Sequence, residues 1–392
     1  QDLYGGVGVG GAVYRAGSMA RGFEKGYKDY TLERVQDAVK YLEKLIQEDI
    51  AKQQTVRERA FVWDLKNKIW KGVGIDNFQQ LTSIASDWGV TDKAVIREQA
   101  EMAMVEVAKT IAHDGNMTPK SRYSQIRSIY EQFPTLSYRT NEVKEKQQYS
   151  TPPPISYMMG TYTNADQVGR VLDPSAGNGS LLITAQRGAV RANDIDTRRF
   201  ENLLAQGYRV YKEDSTHGLV RFLDGPVDAL HINPPFGGPK EDYNGYPLTG
   251  EYVPVAYALE SLRDTGKAAI VVGGHIEFKE NGQMKGKDLY FFNWLNKHYN
   301  LEDVIQIPGD FYKKMGAQYP IKLILVNGRK PVPEGAAPLY NESFEPIETW
   351  NDLESRIESL ITKPDEKTVL QPKVDAQRGD DTLVGGEPTP EI

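Results

Sequence analysis

The sequence predicts an α/β protein in which a doubly wound, mainly parallel sheet follows an α-helical domain. Two observations carry this prediction. From about residue 168, short apolar or β-branched runs recur at Val168–Leu172, Ala189–Asn193, Arg209–Lys212, Val227–Ile232, Ala268–Val272, Leu301–Gln306 and Ile321–Val326. Helical patterns at Arg198–Gln206 and Val255–Arg263 fall between several of them, and strands separated by helices build a parallel sheet. Before residue 140, by contrast, apolar residues recur only at helical spacing.

Taken in order, residues 1–12 are glycine-rich, and a flexible lead-in is expected over 1–30. Their GxGxGG pattern follows no apolar strand, so it does not read as a phosphate loop. Residues 31–71 are predicted helical from Leu32, Val35, Val39, Leu42, Leu45 and Ile46, continued by Phe61, Leu65, Ile69 and Trp70. A second helix is expected at Thr91–Ala112 with Thr91 as N-cap, and a third at Ser121–Gln132. Trp63, Trp70 and Trp88 read as core. The expected domains are a helical one over 31–147 and an α/β one over 148–330. Residues 331–392 form an acidic tail with one helix at Trp350–Ile361 and expected disorder after Lys363.

Composition narrows the chemistry. The 392 residues contain no cysteine, which excludes disulfides, thiolate metal sites and a cysteine nucleophile. Five histidines (His113, His217, His231, His275, His298) show no ligand spacing, so no metal site is expected. No run of 18 apolar residues suggests a membrane helix, and no signal-peptide pattern is visible. Residue 1 is Gln rather than Met, so a processed chain or a piece of a longer one is expected. The net charge of −7 is concentrated in the tail: residues 1–150 carry 22 basic and 20 acidic side chains, residues 151–330 carry 20 of each, and residues 331–392 carry 5 and 14. The acidic balance therefore says little about an anionic partner for the first 330 residues.

Three segments bear chemistry. Val171-Leu172-Asp173-Pro174-Ser175-Ala176-Gly177-Asn178-Gly179-Ser180 is a strand ending in an acid, followed by a glycine loop. Glycines permit close backbone approach to a ligand. The loop lacks the Lys-Ser/Thr of a phosphate-binding loop, which disfavours nucleotide hydrolysis. About 20 residues on, Ala189–Asp196 is a strand ending in acids, as needed to bind the ribose hydroxyls of NAD or S-adenosylmethionine. Asp194 is the better placed acid, and Asp196 alternatively caps the following helix. The third segment, Asp228–Gly238, sets Asn233-Pro234-Pro235-Phe236 after an apolar strand. An Asn oxygen and a stiffly held backbone carbonyl can accept both hydrogens of one amino group, while the Phe ring stacks on a planar base. That arrangement pushes lone-pair density back onto nitrogen and suits in-line methylation by positioning and electrostatics. The bland reading is a proline turn with Asn as a cap.

Asp-Pro-x-x-Gly-x-Gly followed by Asn-Pro-Pro-Phe resembles the S-adenosylmethionine-dependent N6-adenine DNA methyltransferases. Their Rossmann-like sheet is therefore implied for residues 148–330. Tyr149-Ser150-Thr151-Pro152-Pro153 resembles the Thr-Pro segment that precedes the glycine loop in the γ-type enzymes. Tyr257–Gly274 resembles the next unit, a helix, a turn at Thr265-Gly266 and a strand. Leu301–Val326 resembles the closing strands, where Phe311 or Tyr312 approaches the target base.

The resemblance implies S-adenosylmethionine as cofactor, bound by Thr151, Asp173, Gly177, Gly179, Asp194 and Asp214, with Asp214 on the cofactor adenine. Its catalytic group is Asn233, Pro234, Pro235 and Phe236, without a metal. The implied partner is double-stranded DNA with the adenine flipped out, read with the help of further domains or a recognition subunit. Such a protein acts in the cytoplasm of a bacterium or a phage-infected host, in restriction-modification, regulation or phage protection. A weaker resemblance reaches the methyltransferase segments of phage and mobile-element proteins. Arg198, Arg199, Lys313, Lys314 and Lys322 are candidate phosphate contacts, though surface charges in general are solvated. Competing readings are a methyltransferase on RNA guanine or protein glutamine, a non-catalytic DNA-binding module, and a dehydrogenase.

Overall fold

The structure, a computed structural model, describes residues 32–136, 150–235, 237 and 239–362. The glycine-rich lead-in, Tyr149, Phe236 and the tail from Lys363 lie outside the described residues. Four helices come first: α1 (Leu32–Trp70), α2 (Phe78–Asp87), α3 (Lys93–Ala112) and α4 (Pro119–Gln132). Each of the last three starts on a side-chain cap, from Asn77, Asp92 and Thr118. The α3 cap is thus Asp92 rather than the expected Thr91, because its carboxylate accepts the N–H groups of Ala94 and Val95. Trp63 and Trp70 are largely exposed, contrary to expectation, since the α1 stripe that reaches the core runs through Phe61, Val62 and Leu65. Trp88 is partly buried and donates to Asp64 at 3.0 Å.

Helix α5 (Pro153–Thr163) begins with prolines in its first turn, where missing N–H groups cost nothing. Then come β1 (Val171–Asp173), β2 (Val190–Asn193), α6 (Thr197–Ala205), β3 (Arg209–Tyr211) and β4 (Val227–Ile232). A hairpin follows, β5 (Lys240–Tyr243) with β6 (Tyr246–Thr249), and then α7 (Tyr252–Leu259), β7 (Leu262–Gly273), α8 (Gly286–His298), β8 (Tyr299–Ile307), β9 (Ile321–Arg329) and α9 (Trp350–Ile361). Seven strands form one sheet in the order β3-β2-β1-β4-β7-β9-β8. The five on the β3 side run parallel, and β9 pairs antiparallel with both β7 and β8. The doubly wound, mainly parallel sheet expected from the alternation is therefore present.

Thr265-Gly266 lies within β7 rather than between elements, at an irregularity of the strand: Val227 of β4 pairs with Leu262 and Ala229 with Lys267, so the β7 segment between them bulges out of the ladder. A Cβ on Gly266 would stand 2.9 Å from the Asp228 carbonyl of β4. One apolar cluster packs α7 and α8 on one sheet face, joining Leu230, Ile232, Ile270, Tyr252 and Phe291. On the other face Ile155, Met159, Val271, Ile305 and Leu323 pack together with Ile111 of α3 and Ile126 of α4. The helical region and the sheet thus share one core, reinforced by Tyr130 Oη donating to the Phe311 carbonyl at 2.7 Å. The fold's ligand crevice is set by strand order. The winding reverses between β1 and β4, and the carboxyl ends of strands at such a point leave an opening.

Candidate active site

The Thr-Pro segment, the glycine loop and the Asn-Pro-Pro segment meet in that opening. Asn233 leaves β4 half-buried, and its Nδ2 donates to Thr151 Oγ1 at 3.0 Å. Its backbone carbonyl accepts from Ser175 Oγ in the glycine loop at 3.1 Å. Residues 82 and 58 positions apart in sequence are thereby held within one hydrogen bond of Asn233. Pro234 is buried and Pro235 exposed.

Asp173 closes β1 and is fully buried. Its Oδ1 accepts the Ser175 N–H at 3.0 Å, while Oδ2 is buried without a hydrogen-bond partner. Burial pushes this carboxyl up to about 8, the neighbouring charge of Asp194 adding to it against the Ser175 bond. A buried orphan acceptor at a strand tip is costly unless a donor arrives. Gly177 and Gly179 have φ of 56° and 85°, left-handed values that favour glycine. A Cβ on Gly177 would find no atom nearer than Ser150 Oγ at 4.0 Å, so its requirement is backbone conformation rather than crowding.

Asp194, at the end of β2, accepts the Gly177 N–H at 2.8 Å with Oδ2 and the Asp196 N–H at 2.9 Å with Oδ1. Burial raises its pKa despite the nearby Arg199. A carboxylate has about four lone-pair sites, so two remain for a ligand. Asp196 instead caps α6, accepting from the N–H groups of Arg198 and Arg199. Ile195 between the two acids is 59 % exposed, an isolated apolar surface on the lip of the crevice. Asp214 is exposed after β3, where its Oδ1 takes the Thr216 N–H at 2.9 Å and Oγ1 at 2.6 Å. Those bonds lower its pKa and make it the cap of its own turn.

Several positioning residues escaped the sequence reading. Asn193 braces three loops: its Nδ2 donates to the carbonyls of Pro174 and Glu213, and its Oδ1 accepts the Glu213 N–H. His231 lies buried in β4, two residues before Asn233. Its Nδ1 donates to the Leu181 carbonyl at 2.6 Å, which leaves Nε2 to accept from Thr163 of α5 at 2.7 Å. Burial lowers its pKa to about 4. A PVDALHIN strand offers no sign that its histidine is a bracket, since the two partners are 50 and 68 residues away.

The two aromatic candidates separate. Tyr312 is buried with its hydroxyl beside Thr151, and burial raises its pKa. Phe311 instead sets its ring against Trp350, centroids 4.4 Å apart, and belongs to the core. Two of the five candidate phosphate contacts are also excluded from that role, and from being solvated. Arg199 is buried on Glu98 at 2.8 Å, and Lys322 is buried on Asp288 at 3.1 Å. Among the described residues no cluster of His, Cys, Asp or Glu is arranged to hold a metal, and no helix is long and apolar enough to cross a membrane.

Residues 122–221 match the family model described as N-6 DNA Methylase. The match takes in most of α4, the Thr-Pro segment, the glycine loop and the strand tips through Asp214. It stops before Asn233. Among solved structures, the chain is similar to a type I restriction-modification methyltransferase subunit from Streptococcus thermophilus, at 13 % identity over 88 % of this chain and 81 % of that one, TM-score 0.42. It is also similar to a putative class I S-adenosylmethionine-dependent methyltransferase from Listeria monocytogenes, at 14 % identity over 76 % and 99 %, TM-score 0.42. The M protein of the type I restriction enzyme EcoKI gives 16 % identity over 76 % and 75 %, TM-score 0.40. No curated protein matches the chain.

Proposed function

We propose that this protein transfers a methyl group from S-adenosylmethionine to the N6 amino group of adenine in DNA, with the base flipped out of the duplex. The observation that carries the reading is the pair of bonds tying Asn233 to Thr151 and to Ser175 in the switch-point opening. The family match over residues 122–221 supports it.

The residues fit the cofactor. The orphan Oδ2 of Asp173 calls for a buried donor such as an ammonium group. Asp194 suits a pair of ribose hydroxyls, and Ile195 offers an apolar face to a purine. Thr151 would border the methionine end. Asp214 would reach the adenine amino group if its turn opened by one hydrogen bond. When bound, S-adenosylmethionine supplies an electrophilic methyl group on a sulfonium.

The remaining chemistry belongs to the chain. Thr151 fixes which way the Asn233 carboxamide faces, with Nδ2 on Thr151 and Oδ1 on the opposite side. Oδ1 and the Pro234 carbonyl would accept the two N–H groups of the target amine. Phe236 would stack on the base and Tyr312 would close the pocket behind Thr151. Acceptance of both hydrogens localises the nitrogen lone pair for attack, and the proton released after transfer would pass to solvent. No covalent enzyme intermediate is needed. The cost of extruding the adenine, a few kcal/mol, would be offset by stacking. Selection of the DNA sequence would come from a further domain or a partner subunit.

Transfer of tritiated methyl to DNA, RNA and protein substrates tests this. Label is expected in the N6 position of DNA adenine. Asn233→Ala should reduce it by roughly hundredfold to thousandfold, the loss typical of removing one transition-state hydrogen bond. Label confined to RNA or protein, or undiminished transfer by the variant, would overturn the proposal.

A further inference from the structure

The glycine loop does not stand alone. Asn178, between the two left-handed glycines, is buried and uses its whole side chain inward. Its Nδ2 donates to Glu98 Oε1 at 2.8 Å and to Glu101 Oε1 at 3.1 Å, both on α3. Its Oδ1 accepts from Asn202 of α6 at 2.8 Å, and its carbonyl accepts from Gln206 Nε2 at 2.9 Å. The same Oε1 of Glu101 also accepts from Ser150 Oγ. Ser150 adjoins Thr151, the residue on which Asn233 rests. One carboxylate of the helical region therefore spans the two strips that border the cofactor opening. Arg97 and Arg199 balance the charge, with Arg199 Nε on Glu98 at 2.8 Å and Arg97 Nη1 3.8 Å from each glutamate.

This cluster is a poor device for stability. Arg97 Nε and Nη2 and Glu101 Oε2 are buried without hydrogen-bond partners. Buried ion pairs of this kind gain little over well-packed apolar side chains. What the cluster does supply is fixed geometry for a loop whose glycines would otherwise leave it loose. We infer that α3 is part of the cofactor site, with Glu98 and Glu101 as positioning residues that set the spacing between the glycine loop and the Thr-Pro strip. The inference rests on the reading that S-adenosylmethionine binds in this opening. It makes the helical region a component of cofactor binding rather than an appendage.

The test uses the full chain, with S-adenosylhomocysteine binding followed by calorimetry. It adds hydrogen exchange of the amides of residues 175–180 in the ligand-free protein, and the cofactor KM and kcat for methyl transfer to DNA. Glu101→Gln keeps the shape of the side chain and removes its charge. Asn178→Ala removes the pin and leaves the three ion pairs intact, so it remains informative if the first variant fails to fold. Each folded variant is expected to weaken binding at least tenfold and to speed exchange at the loop amides at least tenfold. KM for the cofactor should rise in proportion, with kcat at saturation changing by less than threefold. Unchanged affinity and unchanged loop exchange in folded variants would overturn the inference, as would a fall in kcat alone. A wild-type chain that binds no S-adenosylhomocysteine would instead overturn the cofactor reading itself.

Discussion

At the scale of single residues, Asp173 gives the sharpest expectation. Its carboxyl is raised to about 8 by burial. In the ligand-free protein it is therefore mostly protonated at pH 7. A bound ammonium group would favour the ionised form, so binding should expel a proton. Calorimetric titration with S-adenosylhomocysteine at pH 7, in buffers of different ionisation enthalpy, should report release approaching one proton. Asp173→Asn should abolish that release and weaken binding. A wild-type protein that binds without expelling a proton would contradict this assignment. Asp173 and Asn233 stand out in the sequence because each adjoins a glycine or proline signal, and Thr151 and Tyr312 through the resemblance alone. Ile195 and Asn193 do not, because exposure or partners far along the chain give them their place. Nothing in the sequence sets Glu98 and Glu101 apart from other helix charges, and only tertiary packing turns them inward.

At the scale of elements, β4 and α5 are locked together by His231 between Thr163 and Leu181. The lock needs the neutral imidazole, and the folded pKa of about 4 lies below the ordinary 6.5. Protonation therefore favours the unfolded chain. The stabilisation is fully present above pH 6.5 and is lost as the pH falls towards 4, on the order of 3 kcal/mol in all. Asp173 titrates in the opposite sense, its raised pKa favouring the fold as the pH falls from about 8 towards 4. The two effects separate by comparison with His231→Gln. Urea unfolding should show wild type ahead of the variant at pH 7.5, with the gap closing by pH 4. A gap independent of pH would refute the neutral bracket.

The elements best read from sequence were those whose pattern is local. Strand β4 matches the expected Val227–Ile232 at both ends, and α9 matches Trp350–Ile361, where Thr349 and Asp352 form a capping box. Helix α5 does not stand out in the sequence because prolines and Gly160 are unfavourable inside a helix. In the fold the prolines occupy the first turn, and Gly160 lets the helix approach Thr184, whose Oγ1 would lie 1.8 Å from a Cβ. The β5–β6 hairpin was hidden by its short polar strands, and its turn at Asn244-Gly245, with φ of 53° and 84°, was the available signal.

At the scale of the whole molecule, the apolar clusters cross the sequence boundary drawn near residue 147, because Tyr123, Ile126 and Ile111 pack against the sheet-side core. Hydropathy periodicity reports which face of a helix is buried but not what covers it, so the shared core was not legible. The strand order carries a final consequence. Strand β9 lies between β7 and β8 although it is the last of the seven in the chain. As the polypeptide leaves the ribosome, β7 must wait about 50 residues for the neighbour that covers its hydrogen-bonding edge, holding a ready template for misassociation in the meantime. A chain stopped at Pro320 would keep that edge bare. It should partition into the insoluble fraction and bind hydrophobic dye, whereas a soluble, protease-resistant product would show that the nascent protein protects the edge by another route.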